Sequence, residues 1–130
     1  MVWTGTSRQS VNVLIDQKKN RIKNIKGLLN FNNMTKKFYI YLKNLDSLKM
    51  GELLNKAWEI KKNFSKFITN EKINKLYNSI INSGVYGAKL LGAGNGGFIL
   101  ILANNIQLKK LKIRKKIISF SISKNGSTII

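Results

Sequence analysis

The chain contains no cysteine and no histidine. Disulfides, thiolate chemistry, zinc sites built on His or Cys and the commonest general base are therefore excluded. Acids are scarce: Asp16, Asp46, Glu52, Glu59 and Glu71 stand against 24 Lys and Arg. Arginine is scarce too, with Arg8, Arg21 and Arg114 as its three instances. No apolar run approaches the ~20 residues that span a bilayer, the longest being Phe98–Ala103. The first residues lack a basic segment leading into an apolar stretch and a small-residue cleavage site. A cytoplasmic protein with no membrane partner is expected.

What remains is a chain of 130 residues, 43% apolar and 22% charged, inside the globular range. That length sustains one modest core and a single domain, residues 1–130. The formal charge of +19 raises the question of a nucleic-acid or other polyanionic partner. Two details weigh against it. Recognition of phosphates and base edges favours the planar guanidinium, which is rare here. The lysines are also dispersed and accompanied by abundant Asn and Ile, which share A/T-rich codons, so a biased genome is the competing explanation of the charge.

Val2–Thr4 reads as a short strand, and Thr6 and Gln9 have capping-box spacing for a following helix. Val11, Leu14, Ile15, Ile22 and Ile25 fall at helical spacing, with lysines opposite. Gly27 to Asn33 reads as a break. A second helix is expected from about Thr35 to Asn44, burying Phe38, Tyr41, Leu42 and Leu45. A third carries Leu53, Leu54, Ala57 and Trp58 to about Phe64. Asn70 is placed to cap a fourth, through Ile73, Leu76, Tyr77, Ile80 and Ile81, with Gly84 as its left-handed exit. Leu90-Leu91 and the run from Phe98 to Leu102 then flank a glycine cluster like two strands of a buried hairpin. Asn104 caps a short helix through Leu108 and Leu111. Ile118, Phe120 and Ile122 alternate with serines as a half-buried strand, and Lys124-Asn125-Gly126 turns the chain into a last extended piece, Thr128-Ile129-Ile130. The expected class is α+β, with helices packed on one side of an antiparallel four-stranded sheet.

Six of the ten glycines lie between Gly84 and Gly97. Glycines this dense allow positive φ and expose successive N–H groups, as an anion-binding nest does. Gly92, Gly94 and Gly97 satisfy G-x-G-x-x-G, but a strand follows where a dinucleotide fold needs a helix, and no acid occurs after Glu71. Gly87 and Gly92 have P-loop spacing, but Ala93 stands where the lysine belongs. A hairpin turn with no ligand remains a competing reading.

The run from Gly84 to Phe98 (Gly-Val-Tyr-Gly-Ala-Lys-Leu-Leu-Gly-Ala-Gly-Asn-Gly-Gly-Phe) resembles the third conserved motif of the GHMP small-molecule kinases. Other matches follow the order of one branch, the sugar kinases of the D-glycero-D-manno-heptose 7-phosphate kinase type. Thr4-Gly5-Thr6-Ser7-Arg8 resembles the Thr-Gly-x-x-Arg segment opening their C-terminal half. Trp58-Glu59-Ile60-Lys61-Lys62 resembles one of their helices, and Gly126-Ser127-Thr128-Ile129-Ile130 resembles their terminus. The resemblance implies a ferredoxin-like C-terminal domain that closes over ATP and a sugar or sugar-phosphate substrate. Gly92, Ala93, Gly94, Asn95, Gly96 and Gly97 would form the active-site loop, with Thr4, Gly5, Arg8 and Lys89 as possible substrate contacts. Asn95 departs from the family pattern, where glycine is usual; Asn tolerates left-handed φ, but close backbone approach to a ligand there is put in question.

Phosphoryl transfer also needs Mg²⁺ ligands and a group to orient or deprotonate the acceptor hydroxyl. None of the five acids falls beside the glycine loop. Glu52 reads as a surface pair with Lys56, Glu71 as a first-turn dipole partner, and Asp46 as lying near a helix start; Asp16 and Glu59 lie mid-helix among lysines. Trp58, Tyr77 and Phe38 read as core. In the family, the phosphate loop, the Mg²⁺ ligand and the catalytic acid belong to an N-terminal domain, which nothing here resembles. The chain is therefore expected to supply no catalytic residue and no metal ligand, and to be inactive alone. A small basic nucleic-acid-binding domain is the alternative, and a partner-binding module with an apolar patch around the glycine loop is a third reading.

Overall fold

The computed structural model describes residues 1–7, 10–113 and 115–121. Along the chain run β1 (Val2–Trp3), α1 (Ser10–Lys19), α2 (Ile25–Lys43), α3 (Ser47–Lys62), α4 (Glu71–Asn82), β2 (Gly87–Leu90), β3 (Phe98–Leu102) and α5 (Asn105–Lys110). The three strands form one antiparallel sheet in the order β1-β3-β2. Its register sets Val2 opposite Ile99 and Ile99 opposite Leu90, and all three are fully buried. Strand periodicity then sends Trp3 and Phe98 to the other face, where their ring centroids lie 5.1 Å apart.

Leu90 and Ile99 of this row pack with Trp58 of α3 and with Ile73, Tyr77 and Ile80 of α4 in a single core. On α4 these positions repeat at helical spacing, so one stripe meets the sheet. The Asn70 side chain accepts from the Ile73 N–H at 3.0 Å, and Gly84 leaves the helix at φ +81°. Both ends match their sequence signals. α5 likewise begins with a complete capping box between Asn104 and Gln107.

α3 runs beside the outer edge of β2 and covers it. The Ala88 N–H, pointing away from β3, donates to Asn55 Oδ1 at 2.9 Å, and the Tyr77 hydroxyl donates to the same oxygen at 3.1 Å. One side chain thus satisfies an exposed strand edge and ties it to two helices. The approach is close enough that a Cβ on Gly51 would fall onto the Tyr86 carbonyl.

Several sequence expectations are corrected. Gly27 to Asn33 is no break: α2 runs through it, and the interruption falls at residues 20–24 instead. Gly27 lies against the Phe64 ring, where a Cβ would meet Cε1 at 2.6 Å, so it serves helix packing. The apolar stripe assigned to the first helix is mostly in solvent, with Val11, Leu14, Ile15, Ile22 and Ile25 exposed and Val13 buried. In α2 Met34 is the buried residue; Phe38 and Tyr41 are half-buried and Leu42 is exposed. Leu45 is exposed and sits at φ +55° in the turn before α3.

The fourth strand does not form among the described residues. Ile117 makes one antiparallel bridge to Val2, and Met1 and Ile118 exchange hydrogen bonds of 2.6 and 2.8 Å. The pairing goes no further among the described residues, and Phe120 is exposed. Ile122 and the extended piece Thr128–Ile130 lie outside the described residues, as does Gln9 of the expected capping box. The architecture is thus α+β with a small three-stranded sheet.

Two substitutions test the α3–β2 seam. Asn55→Ala leaves the Ala88 N–H and the Tyr77 hydroxyl without their acceptor and is expected to lower stability by about 1–3 kcal/mol. Gly51→Ala forces helix and strand apart and should cost at least about as much. Urea unfolding midpoints check both, against Asn78→Ala on the exposed face of α4, expected within about 0.5 kcal/mol of the parent.

Candidate functional site

The glycine loop closes the β2–β3 hairpin, with the Leu91 N–H donating to the Phe98 carbonyl at 2.9 Å. Two other segments hold it. On one side the Gly97 N–H donates to the Thr6 carbonyl at 3.1 Å and the Thr4 N–H to the Gly97 carbonyl at 2.9 Å. On the other the Asn95 N–H donates to the Ile68 carbonyl at 2.7 Å, and Asn70 Nδ2 to Asn95 Oδ1 at 3.3 Å. Thr4 is buried and its hydroxyl donates to the Thr6 carbonyl at 3.5 Å. The loop is therefore wedged between the corner after β1 and the segment before α4.

This wedge explains the glycines. A Cβ at Gly96 would stand 2.6 Å from the Thr6 carbonyl oxygen, and one at Gly94 would stand 2.8 Å from the Ile68 backbone. Both have φ values outside the range of L side chains, +148° and +128°. Asn95 takes left-handed φ of +57°, tolerable for Asn, and its side-chain oxygen turns toward Asn70. Asn70 thus both caps α4 and braces the loop.

The tie to protein is partial. Among the described residues, the N–H groups of Ala93, Gly94 and Gly96 donate to no protein acceptor. Lys61 Nζ donates to the Gly92 carbonyl. Lys89 Nζ lies 5.3 Å from the Phe31 ring centroid, and burial pushes its pKa below the usual lysine range. A hollow of about 360 Å³ borders Gly92 and Ala93, walled by Leu28, Phe31, Lys61 and Lys89. Gly5, at φ +79°, is exposed and its carbonyl accepts from Lys72 Nζ at 3.3 Å. Arg8 lies outside the described residues.

Carboxylates are elsewhere. Asp46 caps α3 and pairs with Lys49 at 3.1 Å, Glu59 pairs with Lys62 at 2.7 Å, and Glu71 with Lys75 at 2.6 Å. Glu52 makes no ion pair with Lys56 within 4.0 Å, contrary to expectation. Among the described residues no three His, Cys, Asp or Glu side chains group to hold a metal ion. The described carboxylates therefore do not group as a Mg²⁺ site, and what the loop itself presents is N–H donors. Trp58 and Tyr77 are buried as expected, while Phe38 lines a separate apolar hollow between α2 and α3.

The sequence brought together Thr4, Gly5 and the loop, and the structure makes them neighbours. The bracing roles of Ile68, Asn70 and Lys61 had no signal in the sequence beyond the cap at Asn70. A carbonyl acceptor leaves no mark in residue type.

Comparison with known proteins agrees with this geometry. Residues 39–127 match the family model "GHMP kinases C terminal". The chain is 30% identical over 82 residues to the D-glycero-alpha-D-manno-heptose 7-phosphate kinase of Campylobacter jejuni, covering 59% of this chain and 24% of that protein. It is 33% identical over 69 residues to the bifunctional fucokinase/GDP-fucose pyrophosphorylase of Arabidopsis thaliana, covering 53% and 6% respectively. The chain thus spans a quarter or less of these relatives. Its fold is similar to that of L. major mevalonate kinase in complex with R-mevalonate, with a TM-score of 0.75 and 19% identity over 85% of this chain and 35% of that one. With the family model matching more than half of the chain, the protein belongs to the GHMP kinases and carries their C-terminal domain.

Proposed function

We propose that residues 1–130 form the C-terminal part of an ATP-dependent sugar or sugar-phosphate kinase and contribute its glycine-rich active-site loop. The carrying observation is the loop's division of labour. The N–H groups of Asn95 and Gly97 anchor it, while those of Ala93, Gly94 and Gly96 have no acceptor among the described residues. Donors fixed in place by packing stabilise the charge that develops on a transferring phosphoryl group. ATP supplies that group when bound; Lys61 and Lys89 flank the hollow beside Gly92 and add positive charge. Both relatives are named as sugar kinases, which favours a sugar acceptor.

The remaining parts come from an N-terminal domain or subunit: the nucleotide loop, the Mg²⁺ ligand and the group that orients the acceptor hydroxyl. Exposed Leu28 on α2, which shares the hollow beside Gly92, and exposed Leu14 and Ile15 on α1 offer apolar area for its docking. A cytoplasmic setting goes with the kinase reading; separately, no helix of the described residues is long and apolar enough to cross a membrane. Nucleic-acid binding would use aromatics exposed among lysines; Tyr39 with Lys43 and Phe67 with Lys66 are two such pairs, whereas Trp58, Phe64 and Tyr77 lie in the core.

Three outcomes are expected. In single-turnover assays with ATP, Mg²⁺ and sugar phosphates the chain alone forms no product, and adding the N-terminal half of a heptose 7-phosphate kinase restores turnover; product from the chain alone at kinase rates overturns the reading. In the restored enzyme Gly96→Ala lowers kcat/KM by about 100-fold or more, since the new Cβ displaces the loop from Thr6. Asn95→Gly leaves stability within about 1 kcal/mol, because relief of left-handed backbone strain offsets the lost bond to Asn70; thermal unfolding checks it.

A further inference from the structure

Between α2 and α3 lies an apolar hollow of about 170 Å³, walled by Phe31, Met34, Phe38, Leu53, Leu54 and Ala57. Phe31 is held in place by an edge-on contact with Phe64, at 5.5 Å between ring centroids and 78° between planes. Ala57, buried on α3, contributes only a methyl group to the wall. A space of about 150 Å³ walled by aliphatic and aromatic side chains takes one benzene ring. The hollow therefore accommodates a single aromatic ring.

Its border carries one charge, that of Lys89. Lys89 makes no hydrogen bond or ion pair among the described residues, and its Nζ lies 5.3 Å from the Phe31 ring centroid. Burial pushes its pKa down, and a carboxylate set beside the ammonium offsets that desolvation. No acid or amide side chain lines the hollow, and the Thr35 hydroxyl already donates to the Phe31 carbonyl at 2.9 Å. A cationic ligand would meet a like charge there, and a sugar would bury hydroxyls without partners. Phe31 and Lys89 also wall the hollow beside Gly92, so an occupant adjoins the glycine loop.

From these observations we infer that the α2–α3 hollow binds a small aryl-alkyl carboxylic acid, its ring among Phe31, Phe38 and Leu54 and its carboxylate on Lys89. The site is unsuited to a sugar, and its binding does not rest on the kinase reading. When occupied, it neutralises one of the two ammonium groups, Lys61 and Lys89, that flank the Gly92 hollow.

The test is a methyl-resolved ¹³C NMR titration of the 130-residue chain with 3-phenylpropionate, 3-phenylpropan-1-ol and propionate. 3-Phenylpropionate is expected to shift the Met34, Leu53 and Leu54 methyl groups, and propionate to shift none of them. The alcohol, which has the ring but no charge, binds at least about fivefold more weakly than the acid. Lys89→Met abolishes that preference, whereas Lys36→Met, exposed on α2, retains it. In the parent chain the Lys89 ε-methylene reports a raised pKa when 3-phenylpropionate binds and none with the alcohol, which keeps the test decisive should Lys89→Met fail to fold. Unmoved methyl groups, an alcohol bound as tightly as the acid, a preference that survives Lys89→Met or is lost with Lys36→Met, or an unchanged Lys89 titration overturns the inference. Failure of the restored enzyme to turn over, with this binding intact, counts against the kinase reading alone.

Discussion

Two reciprocal backbone bonds, from Gly97 to Thr6 and from Thr4 to Gly97, hold the glycine loop against the corner that follows β1. They join residues more than ninety positions apart and fix the positive-φ backbone between Gly92 and Gly97. The bond from Asn95 to Ile68 fixes the other side. Because the contacts are backbone to backbone, they admit no side chain between them, and glycine at positions 94 and 96 follows from that closeness.

The same closeness determines what the loop offers a ligand. A freely mobile glycine turn would have to be ordered at each binding event, at a cost in conformational entropy. Here ordering is already supplied by folding, through the Asn55 seam that secures β2 and the Asn70 cap that secures α4. The N–H groups left over are held donors. The ion-paired carboxylates Asp46, Glu59 and Glu71 are engaged by lysines of their own helices rather than by the loop.

Legibility followed the range of the interaction that decides each feature. The Asn70 cap, the Gly84 exit, the Asn104 capping box and the Phe98–Leu102 strand rest on contacts within a few residues, and each was readable. Gly27 was misread as a break because a glycine that ends a helix and one that admits a neighbouring ring look alike; Phe64 makes the difference. Ile118 and Phe120 alternate as a strand should, yet among the described residues the pairing is a single bridge at Ile117, and Phe120 is exposed. Pattern specifies a face, and pairing needs a partner.

By itself the sequence determined the helix caps, the hairpin around the glycine cluster, the lack of acids near it and the resemblance to a kinase domain, since all of these are written in residue type and short spacing. Tertiary structure alone decided that the loop is braced by Ile68 and Asn70, that Asn55 closes the strand edge, and that Lys89 meets Phe31. Those meetings join residues 25 or more positions apart, through carbonyl oxygens that every residue possesses and lysines that are everywhere in this chain, so only the folded path distinguishes the ones that matter.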